Sequence, residues 1–477
     1  MRLKIGLATM QPAWKLILQQ EGMDFEFVDL NDPVMIDDYS LLLINKPLDL
    51  VKRGNLNAFL MSGGAAIICA PVFAEMYHHK LHSTHRKFCL PSSDSIFADL
   101  GLIDFYTRFN WIDSKKVKDL DANLKIQYQK MGNGFVLILP FNVNSLISNT
   151  QSRRKKFPFD RKELPSEIVA KVSKGKIREI VFRCLQFLHD QRKIPLVQKW
   201  RFPNDWRNFF MFRVDTDFCT AEQATALYEL CKKHKIRGTW FVDTVSQETL
   251  QQVYAKMPDQ EIALHCRRHL VFPDYKTNKE NIENGLSDLK EAGITVSGFA
   301  APFGDWNENL ARVLSEKGFK YSTEFTLDYD DLPFFPIVNN KAASVLQIPI
   351  HPMSTGRMHR SHFSKEEKWN YYKVYMDNCL LTGNPIFLYH HPSHGNLDIF
   401  DKIFRYVNLK QINSLTYQEY ADWWQKKIDL KIELNYDKNE ISSEFEKVPD
   451  NIQLRISKNE EFAFANLKTT INLEKLN

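Results

Sequence analysis

The chain has 477 residues, of which 44% are hydrophobic, and a formal net charge of +5. This length accommodates two or three domains around a large buried core, and so small a charge excess does not favour nucleic-acid binding. No run approaches the roughly 18 apolar residues of a membrane span, and Gln11, Pro12 and Lys15 interrupt the N-terminal apolar stretch before signal-peptide length. The seven cysteines are scattered without CxxC spacing, so we expect a reducing, cytoplasmic setting.

Residues 1–200 are predicted to form an α/β domain. Short apolar segments alternate with helical patterns from Leu3 to Cys69, and residues 98–140 are β-rich. This βαβ rhythm predicts a parallel, flavodoxin-like sheet. The element order resembles the class I glutamine-amidotransferase-like domains attached to some carbohydrate-active enzymes. Cys69 lacks the glycines of a nucleophile turn, so we interpret it as a buried apolar residue and the domain as non-catalytic.

Three further segments of this region have a predicted local structure. The run 77–85 contains His78, His82 and His85, whose spacing could bind a metal, but a solvated loop is the favoured interpretation. The basic run 151–156 is interpreted as a solvated linker or loop, with anion binding as the alternative. Residues 165–192 are predicted to form one long amphipathic helix.

Residues 201–427 are predicted to form a distorted (β/α) barrel of about seven strands. The first strand ends at Asp215, and capping boxes at Thr220 and Ser364 open two of the intervening helices. The other strands are predicted at 238–242, 261–264, 296–301, 321–325, 345–350 and 385–390. Residues 428–477 alternate apolar and polar residues, which predicts a small β appendage packed on the barrel.

Two pairs of polar residues indicate one site in this barrel. Asp215 and Asp217 are two apart at a strand end, so both carboxylates face the same side. His265 and His269 are four apart, so one turn of helix or a tight loop aims both imidazoles at one point. Two histidines and one carboxylate are the ligand set of a catalytic zinc site, and similar sets hold iron or cobalt. Each pair alone is a weak signal, because acidic caps and surface histidines are common.

Taken in order, four motifs in residues 205–427 resemble those of the polysaccharide deacetylases of the NodB-homology type. This carbohydrate esterase family removes N- or O-acetyl groups from sugars. The motifs are Asp215-Thr-Asp217, His265 to His269, the turn Ala301-Pro302-Phe303-Gly304-Asp305-Trp306, and Leu388-Tyr-His-His-Pro392. The resemblance implies that Asp215 is the general base, that Asp217, His265 and His269 bind the metal, and that Pro302, Phe303 and Gly304 shape one wall.

The chain departs from the family pattern at two places. The family usually has an arginine that pairs with the base where this chain has Ala300, and we hypothesise that Arg213 compensates, since strand parity puts it on the side of Asp215. The late histidine, which the resemblance makes the proton donor, is either His390 or His391, and His391 is slightly favoured. Trp240 and Trp306 are candidates for stacking on a sugar, although buried aromatic residues are the commoner case.

The function expected from this resemblance is metal-dependent removal of an acetyl group from an N-acetylated sugar or glycan precursor. Zn²⁺ is the first expectation, with Co²⁺, Fe²⁺ and Ni²⁺ as alternatives. Hydrolysis of a different C–N amide, such as a small linear amide or a formyl-sugar, and a catalytically inactive carbohydrate-binding protein remain alternatives. The N-terminal domain is expected either to recognise the rest of the substrate or to form a homo-oligomer, and the sequence does not choose between these.

Overall fold

The structure, a computed structural model, describes residues 1–444, 451–459 and 461–475. The chain divides into two compact units. The first unit comprises residues 1–149, 172–205 and 426–477, and the second comprises 150–171 and 206–425. The C-terminal residues cluster with the N-terminal segment, which corrects the expectation that they pack on the barrel.

The first 149 residues form an α/β arrangement around one sheet. Its elements are β1 (Ile5–Leu7), α1 (Pro12–Gln20), β2 (Phe25–Phe27), β3 (Leu41–Ile44), α2 (Leu50–Met61), β4 (Ala65–Cys69), α3 (Ala70–Tyr77), β5 (Leu81–Cys89), β6 (Ile103–Ile112), β7 (Lys118–Asp121), β8 (Ile126–Met131), β9 (Gly134–Leu139) and α4 (Val143–Ile147). The sheet order is β2-β1-β3-β4-β9-β8-β7, and its first five strands are parallel. That order of parallel strands is the flavodoxin-like one, as predicted. The central strand β3 is apolar and completely buried, which is typical of a parallel strand covered on both faces.

Three segments differ from the local prediction. Residues 81–89, which include two of the clustered histidines, form strand β5 paired with β6 rather than a loop. The next elements are β10 (Ser152–Lys156), β11 (Ser166–Ala170), α5 (Lys174–Gln191) and β12 (Leu196–Lys199). The basic run is therefore strand β10, antiparallel to β11, and the predicted long helix begins only at Lys174. Pairing with the next strand along the chain overrides local propensity in β5, β10 and β11.

The second unit is built on a parallel sheet. Its elements are β13 (Phe210–Asp215), α6 (Ala221–His234), β14 (Gly238–Val242), α7 (Gln251–Tyr254), β15 (Glu261–Leu264), α8 (Tyr275–Glu291), β16 (Gly298–Phe299), α9 (Glu308–Glu316), β17 (Tyr321–Ser322), β18 (Ile337–Val338), β19 (Lys341–Ala342), β20 (Leu346–Gln347), α10 (Thr355–Arg360), α11 (Lys365–Thr382), β21 (Ile386–His390), α12 (Leu397–Leu409), β22 (Ser414–Leu415) and α13 (Tyr417–Asp429). Seven strands follow the order β20-β17-β16-β15-β14-β13-β21, and the short β22 also pairs with β13. This partly open parallel sheet confirms the predicted distorted barrel of about seven strands.

Both predicted capping boxes are present. The Thr220 hydroxyl accepts from the Gln223 backbone N–H while the Gln223 side chain accepts from Thr220, and Ser364 and Glu367 do the same at α11. Each box satisfies two backbone N–H groups that a helix start leaves unpaired. The first box begins at Thr220, three residues after Asp217, and so fixes where the turn that carries Asp217 ends and α6 begins.

The C-terminal residues form two small antiparallel sheets. Their strands are β23 (Glu433–Asp437), β24 (Glu440–Glu444), β25 (Gln453–Lys458), β26 (Glu461–Asn466) and β27 (Thr470–Asn472). One sheet has the order β23-β24-β27, and the other joins β25 and β26 to β12. Pairing with β12, rather than with a barrel strand, places these residues in the first unit. None of the helices in the described part of the chain has the length and the apolar character that a membrane span requires.

Candidate metal and catalytic site

The predicted site residues meet at one edge of the parallel sheet of the second unit. Asp215 is the last residue of β13, His265 directly follows β15, and His391 directly follows β21. Because the strands are parallel, their carboxyl ends lie at the same edge, where enzymes of this architecture place their active sites.

Asp217, His265 and His269 form a candidate metal site. One ligand atom from each residue lies within 4.8 Å of the other two. Among the described residues, this is the cluster of three histidine, cysteine or acidic side chains that could hold a metal ion. The Nε2 atoms of His265 and His269 are each 3.8 Å from a carboxylate oxygen of Asp217. The two histidines are carried by a loop rather than by a helical turn, and Cys266 between them has a left-handed φ of 67°.

The ring orientation of His265 suits metal binding. Its Nδ1 lies 2.7 Å from the backbone oxygen of Ala300, so Nδ1 carries the proton and donates it to that carbonyl. The Nε2 lone pair is then left for a cation. Burial lowers the pKa of His265 to about 3, which keeps the imidazole neutral, as a ligand must be.

Asp217 lies in surroundings that disfavour its charged form. Its side chain is mostly buried, and Oδ1 has no hydrogen-bond partner among the described residues. Burial, followed by the negative charge of Asp215, raises the pKa of Asp217 to about 7. A divalent cation held by Asp217 and the two histidines removes both penalties, so these residues fit a zinc-type centre.

Arg213 supplies the positive charge that Ala300 does not. Its Nε donates to Asp215 Oδ1 at 2.6 Å and its Nη2 to Oδ2 at 2.8 Å, while Nη1 donates to the Thr323 carbonyl. Burial alone raises the pKa of the Asp215 carboxyl, but the Arg213 guanidinium outweighs this effect and holds it well below its usual range. Asp215 is therefore ionised.

The two late histidines face different surroundings. His391 Nε2 is 3.8 Å from Asp215 Oδ2 and 3.5 Å from Asp217 Oδ1. His390 is fully buried, with its ring 4.1 Å from that of Phe400 and its Nδ1 3.3 Å from the Thr355 hydroxyl. Only His391 of this pair reaches the acidic residues.

Two exposed phenylalanines border His269. Phe303, in the Pro302-Phe303-Gly304 turn, is 57% exposed, and Phe218, next to Asp217, is 69% exposed. Their ring centroids are 4.9 and 5.6 Å from that of His269, each in an edge-on geometry. Both have left-handed φ values, of 58° and 56°, which are uncommon for such residues and concentrate at functional sites. The glycine of the turn is required, since a Cβ on Gly304 would lie 2.5 Å from the Phe325 ring.

The two candidate tryptophans differ from each other. Trp240 is fully buried and its Nε1 donates to Gln260 Oε1 at 3.2 Å, so the prediction that it contacts substrate is wrong. Its position within the apolar strand β14 explains this, because both faces of that strand are covered. Trp306 is partly exposed in the turn after Gly304 and remains a candidate.

Three residues near the site were missed from the sequence. Phe218 could have been noticed because it directly follows an acidic pair, but an aromatic residue there is equally typical of a core. Asp243 is a buried acid after β14 whose charge interacts with His269. Glu324 is fully buried, and its Oε1 accepts from the Ala301 backbone N–H at 3.2 Å. The only sequence signal for Glu324 is the presence of an acidic residue within the apolar run around Tyr321.

Comparisons with solved structures show modest likeness to several proteins. The Puue allantoinase is 17% identical over 47% of this chain and 93% of its own, with a TM-score of 0.41. A protein from Pseudomonas aeruginosa PAO1 described as a probable polysaccharide deacetylase is 18% identical over 46% and 91%, with a TM-score of 0.40. A family 4 carbohydrate esterase from Streptomyces lividans in complex with acetate is 14% identical over 43% and 91%, with a TM-score of 0.31.

No curated protein matches the chain. The family model for polysaccharide deacetylase matches residues 214–322, which include Asp215, Asp217, both histidines of the candidate metal site and the Pro302-Phe303-Gly304 turn. Residues 214–322 are therefore a polysaccharide deacetylase domain.

Proposed function

We propose that this chain is a metal-dependent deacetylase that hydrolyses the acetamide of an N-acetylated sugar. The observation that carries this proposal is the meeting of three groups at one sheet edge: the ligand set headed by Asp217, the ion pair of Arg213 with Asp215, and His391. Each group has a separate part in amide hydrolysis.

Asp217, His265 and His269 would hold a divalent cation, with Zn²⁺ the best match to two imidazoles and one carboxylate. When bound, such an ion supplies a water of lowered pKa and a positive charge for the carbonyl oxygen. The His265 hydrogen bond to Ala300 keeps its Nε2 directed at this position.

Asp215 acts as the general base. Arg213 donates one hydrogen bond to each carboxylate oxygen of Asp215 and keeps this carboxylate ionised. Each oxygen retains a second lone pair that can accept a proton from water. The ion pair also fixes the orientation of the carboxylate, which a base requires for proton transfer.

His391 protonates the leaving amine. Its Nε2 lies 3.8 Å from Asp215 Oδ2, which is longer than a hydrogen bond, so the proton that Asp215 takes from water would pass to it once the two groups move closer in the substrate complex. Burial lowers the pKa of His391 to about 3, and an imidazolium with so low a pKa is a strong acid toward an amine.

Phe218, Phe303 and Trp306 would contact the sugar. Exposed aromatic rings offer apolar surface to the C–H face of a pyranose, and the two phenylalanines border the proposed metal ligand His269. The sugar would thus be held with its acetamide at the metal.

The test combines metal content with acetate release from a panel of N-acetylated sugars. We expect about one equivalent of metal, and acetate release that falls on the order of 10²-fold or more in Asp215→Asn. The matched control is Asp422→Asn, which removes an acid paired with Lys320 on the surface of the same unit and should leave both readouts unchanged.

Failure to bind metal after reconstitution with Zn²⁺, Co²⁺, Fe²⁺ or Ni²⁺ would reject the centre. Metal binding without acetate from any sugar would reject the acetyl-sugar assignment, in favour of another amide or a carbohydrate-binding protein.

A further inference from the structure

Glu324 is a buried carboxylate beside the metal site that the proposed mechanism does not use. It is fully buried, two residues beyond β17. Its Oε1 accepts a hydrogen bond from the Ala301 N–H at 3.2 Å, whereas Oε2 has no hydrogen-bond partner within the described ranges. Burying an acid with one unpaired oxygen costs free energy of folding, which is typical of residues with a functional role.

The N–H that Glu324 holds belongs to the peptide group between Ala300 and Ala301. The carbonyl of the same peptide group is the acceptor for His265 Nδ1, at 2.7 Å. In a trans peptide the N–H and C=O point in opposite directions, so the group connects the two side chains. Carboxylate, peptide and imidazole therefore form one hydrogen-bonded chain that ends at a proposed metal ligand.

The two hydrogen bonds strengthen each other. An acceptor on the N–H side polarises the peptide, which makes the carbonyl oxygen a better acceptor and strengthens each bond by about 10–30%. A better acceptor at Nδ1 fixes the tautomer and ring angle of His265 and makes Nε2 more basic toward a cation. Carboxylates often act directly on metal-bound histidines in this way, and here one peptide group lies between them.

We propose that Glu324 is a positioning residue for the metal ligand His265 and acts through the Ala300–Ala301 peptide group. The inference rests on the proposed metal centre and adds that its affinity depends on an acid that touches neither metal nor substrate.

The measurement is the Zn²⁺ dissociation constant of the full chain, obtained by competition with a chromophoric chelator, together with the melting temperature of the metal-free protein. Glu324→Leu removes the acceptor and should weaken Zn²⁺ binding by about 10–100-fold, the range typical of such outer partners. Glu324→Gln keeps an oxygen acceptor and should recover most of the affinity. Ala301→Pro removes the donor while Glu324 itself is unchanged, and the φ of −77° at this position suits proline, so it should weaken binding as well.

Glu261 provides the control. It is an acid at the start of β15, the strand that leads to His265, and it accepts hydrogen bonds from Tyr321, Thr239 and Gln418. Glu261→Leu should lower the melting temperature and leave Zn²⁺ affinity at the wild-type value. Equal affinities of Glu324→Leu and wild type, or equal losses in the Glu324 and Glu261 variants, would overturn the inference. A wild type that binds no Zn²⁺ would instead reject the metal centre itself.

Discussion

The guanidinium of Arg213 binds both carboxylate oxygens of Asp215 from a position two residues earlier on the same strand. Both side chains are almost completely buried. The pair thus places a cation beside Asp215 from within β13 itself.

Arg213→Ala should be strongly destabilising, by about 3–5 kcal/mol, because it leaves a buried carboxylate uncompensated. Without Arg213, burial would raise the pKa of Asp215. The fall of kcat/KM on the acidic side of the pH–rate profile should therefore occur at higher pH. The measurements are denaturant unfolding and a pH–rate profile. The double variant Arg213→Ala/Asp215→Asn should regain stability, since neither charge is left alone. Unchanged rate and pH profile in Arg213→Ala would refute the hypothesis that Arg213 compensates.

His391→Ala should lower kcat by roughly 10²–10⁴-fold with little change in KM, because the proton donor to the leaving amine is lost. The neighbouring variant His390→Ala is the control. It removes a ring packed on Phe400, so it should mainly lower the melting temperature. Steady-state kinetics of both variants at matched folded fraction separate the roles, and a larger fall in kcat for His390→Ala would contradict the assignment.

Phe218→Asn should stabilise the protein and impair substrate binding. The left-handed backbone costs a phenylalanine about 1–2 kcal/mol, whereas asparagine tolerates it, so the free energy of unfolding should rise by about 1 kcal/mol. Loss of the exposed ring should raise KM for a sugar. The control is Lys235→Asn, at a left-handed residue that ends α6 and has a φ of 56°. It should stabilise similarly without affecting KM, and an unchanged KM in Phe218→Asn would exclude the sugar contact.

The first unit should lose stability in mild acid because of His189. This histidine is buried in α5, where burial lowers its pKa to about 4 and Nδ1 donates to the Leu185 carbonyl. The unfolded chain takes up a proton near pH 6.5 while the folded imidazole stays neutral to about pH 4, so stability falls as the pH drops through that interval. At pH 5 the cost is about 2 kcal/mol.

His189→Gln removes this titration. The melting temperature of the variant should therefore depend less on pH between 7 and 5 than that of the wild type, as measured by calorimetry. Parallel pH dependences would show that His189 does not contribute.

The sequence predicted the arrangement around Asp215 because that feature is local. The two-residue period of a strand placed Arg213 on the side of Asp215, whereas Asp217 lies in the turn after β13, where that period no longer applies. The capping boxes at Thr220 and Ser364 were also readable, since every group in them lies within four residues. Pairing between separate segments could not be predicted from local patterns: the basic run is strand β10 because it pairs with β11, which begins at Ser166, and β12 pairs with β25 from the far end of the chain.

By itself, then, the sequence determined the α/β class of both regions, the parallel strands and the order of the acidic and histidine motifs, since each depends on periodicity over a few residues. Only the tertiary structure decided that His391 rather than His390 faces the acids, that Trp240 is buried, and that Glu324 reaches His265 through a peptide group. These depend on which strand ends meet and which side of a residue the neighbouring elements cover, and both are set by packing between segments far apart in the chain.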